Sequence, residues 1–226
     1  MVPTGRQRTA GSKPCAGPRH TKTLDRTSDS IVGIEAKPEK LHWNYFLALE
    51  RDMDSTSRYV EFCEDNFSVY SIELVHLLFA AASEVDVVAK LLCEQIDPAA
   101  SPSNINEYKA VLLPALPDLP QADVFVPRYG LSFKPWSNWA GQQNPLWWRS
   151  YNKVKHERDA HFSKATLKNS LNALGALLIL IYHFYSRKLA IAPGRALSSK
   201  DTMQELQPES TLLRLPEDYY YSHLIV

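Results

Sequence analysis

The run "LNALGALLILIYHFY", residues 171–185, constrains the fold of this chain more than any other stretch. Apolar side chains fall on every face of a helix drawn through it, so the helix has no side to offer water and must be surrounded. It is shorter than the roughly 20 apolar residues that cross a bilayer, and Asn172 and His183 interrupt it. The expectation is a core helix in a cytoplasmic protein with no membrane partner. His183 is expected to hydrogen-bond inside the bundle. The helix should span about 165–189, opened by Thr166 or Ser163 and closed by Ser186-Arg187-Lys188, where cations suit the dipole.

A surrounded helix needs partners, and the preceding sequence supplies them. "WNYFLALERDMDSTSRYVEFC" (43–63) places Trp43, Phe46, Leu47, Leu49, Met53, Tyr59, Val60 and Phe62 at three- and four-residue steps, predicting an amphipathic helix softly interrupted at 55–57. Residues 68–96 predict a long apolar helix stopped by Asp97-Pro98. His76 lies within it and is expected to be a satisfied core or interface histidine. "INEYKAVLL" (105–113) predicts a third helix, capped by Asn104 and stopped at Pro114. Residues 114–145 carry six prolines, which exclude a long regular element; "ADVFVPRYGLSFKPW" within them suggests a short hairpin or an ordered loop. A fourth helix is expected over 146–162. The ending "LPEDYYYSHLIV" is aromatic and β-prone, suited to an edge strand or to lying over the bundle. The fold class is therefore all-α, a bundle of four or five helices with an irregular Pro-rich insertion between the third and fourth.

Charge narrows the function classes. The net charge is zero, so no whole-molecule field recruits nucleic acid. Residues 1–22 nevertheless hold five basic side chains and no acid, leaving −5 on the remainder. Residues 1–38 lack apolar periodicity and read as a mostly disordered basic tail. Cys15, Cys63 and Cys93 are odd in number and widely spaced, fitting buried or incidental thiols rather than a zinc site or disulfide framework. No P-loop, GxGxxG, HExxH or GxSxG motif occurs, and no cofactor or metal is expected.

The unusual chemistry lies in "WWRSYNKVKHERDAHF", residues 147–162. At 100° per residue, Arg149, Asn152 and His156 share one helix stripe, while Tyr151, Val154 and Phe162 lie elsewhere and can anchor the helix. A fixed cation, an amide and a titratable imidazole in line are adequate for cleaving a phosphodiester without metal. The imidazole moves the proton of a ribose 2′-OH, and the guanidinium holds the phosphate oxygens. The alternative stays open: a cation-rich surface helix whose charges pair weakly with Glu157 and Asp159. Trp147 and Trp148 suit base stacking, or, for at least one of them, packing against the next helix.

The stretch "SYNKVKHERDAHFSKATLKNSLNALGALLILIYHFY" resembles the C-terminal helical pair of HEPN-type domains. These are bundles of four or five helices whose defining motif is an Arg and a His separated by four to six residues. Arg149 and His156 match with six between them, although Ser150 follows the Arg where active members commonly carry Asn, Asp or His. "LVHLLFAAASEVDVVAKLLCEQ" is similar to the family's early helix, in which an acid such as Glu84 or Asp86 precedes a Lys. The resemblance covers about 43–96 and 146–189, and places the domain at 39–192 and a C-terminal extension at 193–226. It implies a metal-independent ribonuclease of toxin–antitoxin, abortive-infection or CRISPR-type defence, with an antitoxin-like protein partner. Such an enzyme acts as a homodimer whose two motifs meet across the interface. On this carry-over Arg149 binds phosphate, His156 transfers the proton and Asn152 supports. "YNKVKHER" also resembles a branch marked by Lys155, His156 and Arg158, which makes Lys155 and Arg158 further RNA contacts. Other branches are non-catalytic and bind nucleotides or partner proteins.

Overall fold

The computed structural model describes residues 39–190 and 194–219. The expected tail, 1–38, and the end of the β-prone segment lie outside these. In chain order the elements are α1 (Leu41–Thr56), α2 (Ile72–Ile96), α3 (Ile105–Ala115), β1 (Val124–Val126), β2 (Leu131–Phe133), α4 (Leu146–His156), α5 (Arg158–His161), α6 (Leu167–Lys188) and α7 (Ser199–Glu205), with short 3-10 turns between. This is an all-α helical bundle carrying one small hairpin.

The hub is α6, with 17 of its 22 residues buried. It alone among the described residues is long and apolar enough to cross a membrane, yet 83% of its most apolar window is covered by protein. Its neighbours are α1, α2, α4 and α7, all of which pack on it, α2 most extensively. Where α2 and α6 meet, the fully buried Ser170 Oγ donates to Leu74 O at 2.9 Å, so the hydroxyl costs nothing in unmet hydrogen bonding.

Local chemistry sets the helix boundaries. Ser71, Asn104 and Thr166 cap α2, α3 and α6 by accepting first-turn N–H groups at 3.1–3.2 Å. α2 stops at Asp97-Pro98 as expected. Pro114 does not end α3; it sits in its last turn, where a fixed helical φ fits and only one amide bond is forfeited.

The first helix stops at Thr56, well short of residue 63. The Thr56 and Ser57 hydroxyls donate back to Met53 O and Asp54 O at 2.7 and 2.6 Å, competing with the helix amides for those carbonyls. As a result Tyr59 is 87% exposed rather than in the core, while Phe62 reaches the core from the loop. The fourth helix also breaks early. Glu157 adopts φ −138°, ψ 59°, so α4 ends at His156 and Arg158–His161 form a separate turn. Phe162 lies in the 3-10 turn that follows.

The Pro-rich insertion folds onto α6. β1 and β2 pair antiparallel in the register Val124↔Phe133, Phe125↔Ser132 and Val126↔Leu131, turning at Gly130 in the left-handed region (φ 63°). Trp136 Nε1 donates to Ala176 O at 3.4 Å. Phe133 lies so close to α6 that a Cβ at Gly175 would sit 2.6 Å from its Cε2. On its other edge β1 is bridged by Arg214 through paired bonds of 2.8 and 2.9 Å. That edge contact comes one residue before the segment expected to supply it.

The C-terminal segment joins the same core through Met203, Leu206, Leu212, Leu213 and Leu215. A single carboxylate holds it. Glu50 of α1, 1% exposed, accepts the Thr211 N–H on Oε2 (3.1 Å), the Leu212 and Leu213 N–H groups on Oε1 (3.0 and 2.9 Å), and the Ser210 hydroxyl. A buried anion is tolerable here because four donors replace its water.

Two outcomes follow. Glu50→Ala leaves those donors unanswered and should lower unfolding free energy in urea by about 3 kcal/mol, with faster amide exchange at Thr211–Leu213. Gly175→Leu, which drives a side chain into Phe133, should cost about 1–3 kcal/mol by the same measurement. Unchanged midpoints would remove each contact from the account.

Candidate functional site: the cationic face of α4

The buried face of α4 is made by Trp147, Trp148, Ser150, Tyr151 and Val154. Trp147 Nε1 donates to Pro135 O at 2.9 Å, and its ring meets Trp136 edge-on at 5.4 Å between centroids. Trp148 stacks obliquely on Tyr151 (5.5 Å), and Tyr151 meets Phe79 edge-on (5.4 Å). Both Trp147 and Trp148 are thus committed to the core, and the base-stacking reading of them is set aside.

This packing fixes which face of α4 looks outward. Arg149 and His156 are both exposed and lie on one stripe of the same uninterrupted helix. They are two turns apart, roughly 10 Å along the axis at 1.5 Å per residue. Among the described residues the Arg149 guanidinium has neither an ion-pair nor a hydrogen-bond partner. Asn152, between them, donates its Nδ2 to Trp148 O at 3.1 Å, which leaves Oδ1 and the second amide N–H without a partner among the described residues. Lys155 lies over the Tyr151 ring at 5.4 Å. Arg158, beyond the break, lies over Phe79 at 5.1 Å in a separate turn. His161 pairs with Glu157 at 3.2 Å.

The other histidines depart from their expected settings. His76 is 69% exposed at its side chain, 4.0 Å from Glu73, so it is no core histidine; it lies on the solvated edge of α2. His183 makes no ring hydrogen bond among the described residues and instead meets Tyr182 edge-on at 5.1 Å. Burial, helped by the nearby Arg187 charge, pushes its pKa down to about 4. Cys93 is a buried free thiol pushed up to about 12 by burial and by Glu94; Cys63 is half-buried and free, and Cys15 lies outside the described residues. Among the described residues no group of three or more His, Cys, Asp and Glu side chains is placed to hold a metal ion.

Arg149 also lines a cleft of about 260 Å³ with Lys134, Asn138, Lys168 and Asn172; of these the sequence had drawn notice only to Asn172, as a polar break in the apolar run. None of the described residues lining it is acidic. His156 is not among them. Lys134 is partly engaged, with Gln121 Oε1 at 3.2 Å and Asp123 at 3.7 Å. Asn138 Oδ1 accepts the Leu146 N–H at 3.2 Å, capping α4 from eight residues away. Both α4 and α6, whose starts border the cleft, lack an acid in the first turn, as α1 does.

No protein-family model matches this chain, and neither a curated protein nor a solved structure matches it.

The setting of His183 has a consequence for pH. Its folded pKa lies below the ordinary 6.5, so the unfolded chain binds the extra proton between 6.5 and about 4. Stability from this group is complete above pH 6.5 and is lost as pH falls toward 4. A His183→Leu variant should therefore show a flatter decline of Tm across that window than the parent. Parallel declines would show that other groups govern acid unfolding.

Proposed function

We propose that this chain is a metal-independent endoribonuclease of HEPN type, acting as a cytoplasmic homodimer in prokaryotic defence or as the toxin of a toxin–antitoxin pair. One observation supports the reading: an exposed, unpaired Arg149 and an exposed His156 share a stripe of a helix whose opposite face is locked by Trp147, Trp148, Tyr151 and Val154. Preorganised charge aimed at a reacting phosphate is the largest single contribution such a site can make.

In this reading Arg149 holds the non-bridging oxygens of the scissile phosphate as charge builds on them. His156 takes the proton of the ribose 2′-OH while O2′ bonds to phosphorus and the P–O5′ bond breaks. The departing 5′ oxygen receives its proton from His156 of a second copy, so that two motifs facing each other supply base and acid. The products are a 2′,3′-cyclic phosphate and a 5′-hydroxyl. Asn152 Oδ1 accepts from a ribose hydroxyl, and Lys155 and Arg158 contact flanking phosphates.

A second reading is favoured by the absence of His156 from the cleft that Arg149 lines: a module that binds a nucleotide or a partner protein without cleaving. Mixed RNAs incubated with the protein in EDTA separate the two. The parent should cleave, and Arg149→Ala and His156→Ala should each lose about 100-fold or more. Equal inactivity of all three folded proteins would return the second reading.

A further inference from the structure

The cleft beside Arg149 does not end at Lys168 and Asn172. Those two residues also line an adjoining compartment of about 200 Å³ whose walls include Phe67, Leu131, Phe133 and Leu171. A polar, cationic chamber and an apolar, aromatic one therefore meet across a shared lysine and asparagine.

The groups available in the polar chamber are well defined. Arg149 has no partner among the described residues. Lys168 lies 6.0 Å from the Phe67 ring and makes no ion pair there. Asn138 spends its oxygen on Leu146 N–H, leaving its amide N–H₂ as a donor. Asn172 donates to Lys168 O at 2.8 Å, leaving Oδ1 as an acceptor at the boundary. The setting adds to the positive potential. Neither α4 nor α6 carries an acid in its first turn, and they place Arg149 and Lys168 near their starts. Cations there oppose the helix dipole, a cost that a bound anion relieves.

We infer that this two-chambered cleft binds one nucleotide unit, with its phosphate on Arg149, Lys168 and the Asn138 amide and its base against Phe67, Phe133 and Leu171. Asn172 Oδ1 stands between the chambers, where it accepts from a ribose hydroxyl or a base N–H. Inorganic phosphate alone would leave the aromatic chamber empty, and an apolar ligand would strand the cations. The inference rests on reading Arg149 as a phosphate-binding cation and deepens it: the phosphate is the one Arg149 holds in that reading, and the cleft, which His156 does not line, seats the nucleotide attached to it. The unit is either a free nucleoside monophosphate or one residue of a single-stranded RNA.

The full chain is titrated calorimetrically with uridine and adenosine 5′-monophosphates, inorganic phosphate, and a short single-stranded RNA. A nucleoside monophosphate or the RNA should bind about tenfold more tightly than inorganic phosphate, and Lys168→Glu should weaken that binding by about tenfold or more. Phe133→Leu should weaken the nucleotide but not phosphate. Binding of the RNA without the monophosphates identifies the strand as the source; binding of both identifies the nucleotide unit itself. Indifference to Lys168→Glu, or phosphate binding as tightly as any nucleotide, overturns the inference. A parent that binds but does not cleave RNA defeats the nuclease reading and leaves this one standing.

Discussion

A helix without a solvent-facing side is the constraint from which the rest of the structure follows. Because α6 is apolar around its whole circumference, it is stable only when neighbours cover each face. α1, α2 and α4 supply three of those covers from ordinary amphipathic helices. The remaining surface is taken by α7 and by the Pro-rich insertion, which reaches the helix at Gly175 and Ala176. The insertion is thus structural as well as a wall of the cleft. The lack of a side chain at Gly175 allows Phe133 to lie against α6, and that places Lys134 and Asn138 opposite Lys168 and Arg149.

Much of this was legible in the sequence, for identifiable reasons. Three- and four-residue spacing located the helices, and Ser, Thr and Asn caps with the Asp97-Pro98 stop marked several boundaries, because these are effects of neighbouring residues on one another. What escaped was decided by contacts distant in sequence or by backbone choices with no strong local code. Nothing near Glu157 signals a break, since neither Gly nor Pro stands there, yet the chain leaves the helix at that residue. Tyr59 fell on the expected apolar stripe, but hydroxyls at Thr56 and Ser57 ended the helix first. Nothing beside Glu50 in the sequence marks its role, because its donors lie 160 to 163 residues away.

The candidate site divides in the same way. The shared stripe of Arg149 and His156 depends only on helix geometry, so the sequence sufficed to place it. The surroundings of Arg149 depend on where the hairpin and the start of α6 come to rest, which no spacing within residues 147–162 encodes. Arg158 shows the converse: it belonged to the expected helix, and one non-helical residue moved it into a separate turn. An acid-free cleft at the starts of two helices is a feature of tertiary structure, even though each helix start is visible alone.

The Glu50 clamp bears on how the chain is completed during synthesis. The carboxylate belongs to the first helix of the domain, and all four of its donors belong to residues 210–213, near the far end of the described chain. A nascent polypeptide that has emerged only through α6 can assemble the central helix pair, but it must then either keep α1 undocked or bury a bare negative charge. Closure of the domain is therefore deferred until residues 210–213 have emerged, and a chain cut off before residue 213 has a first helix that is poorly seated and open to proteolytic surveillance.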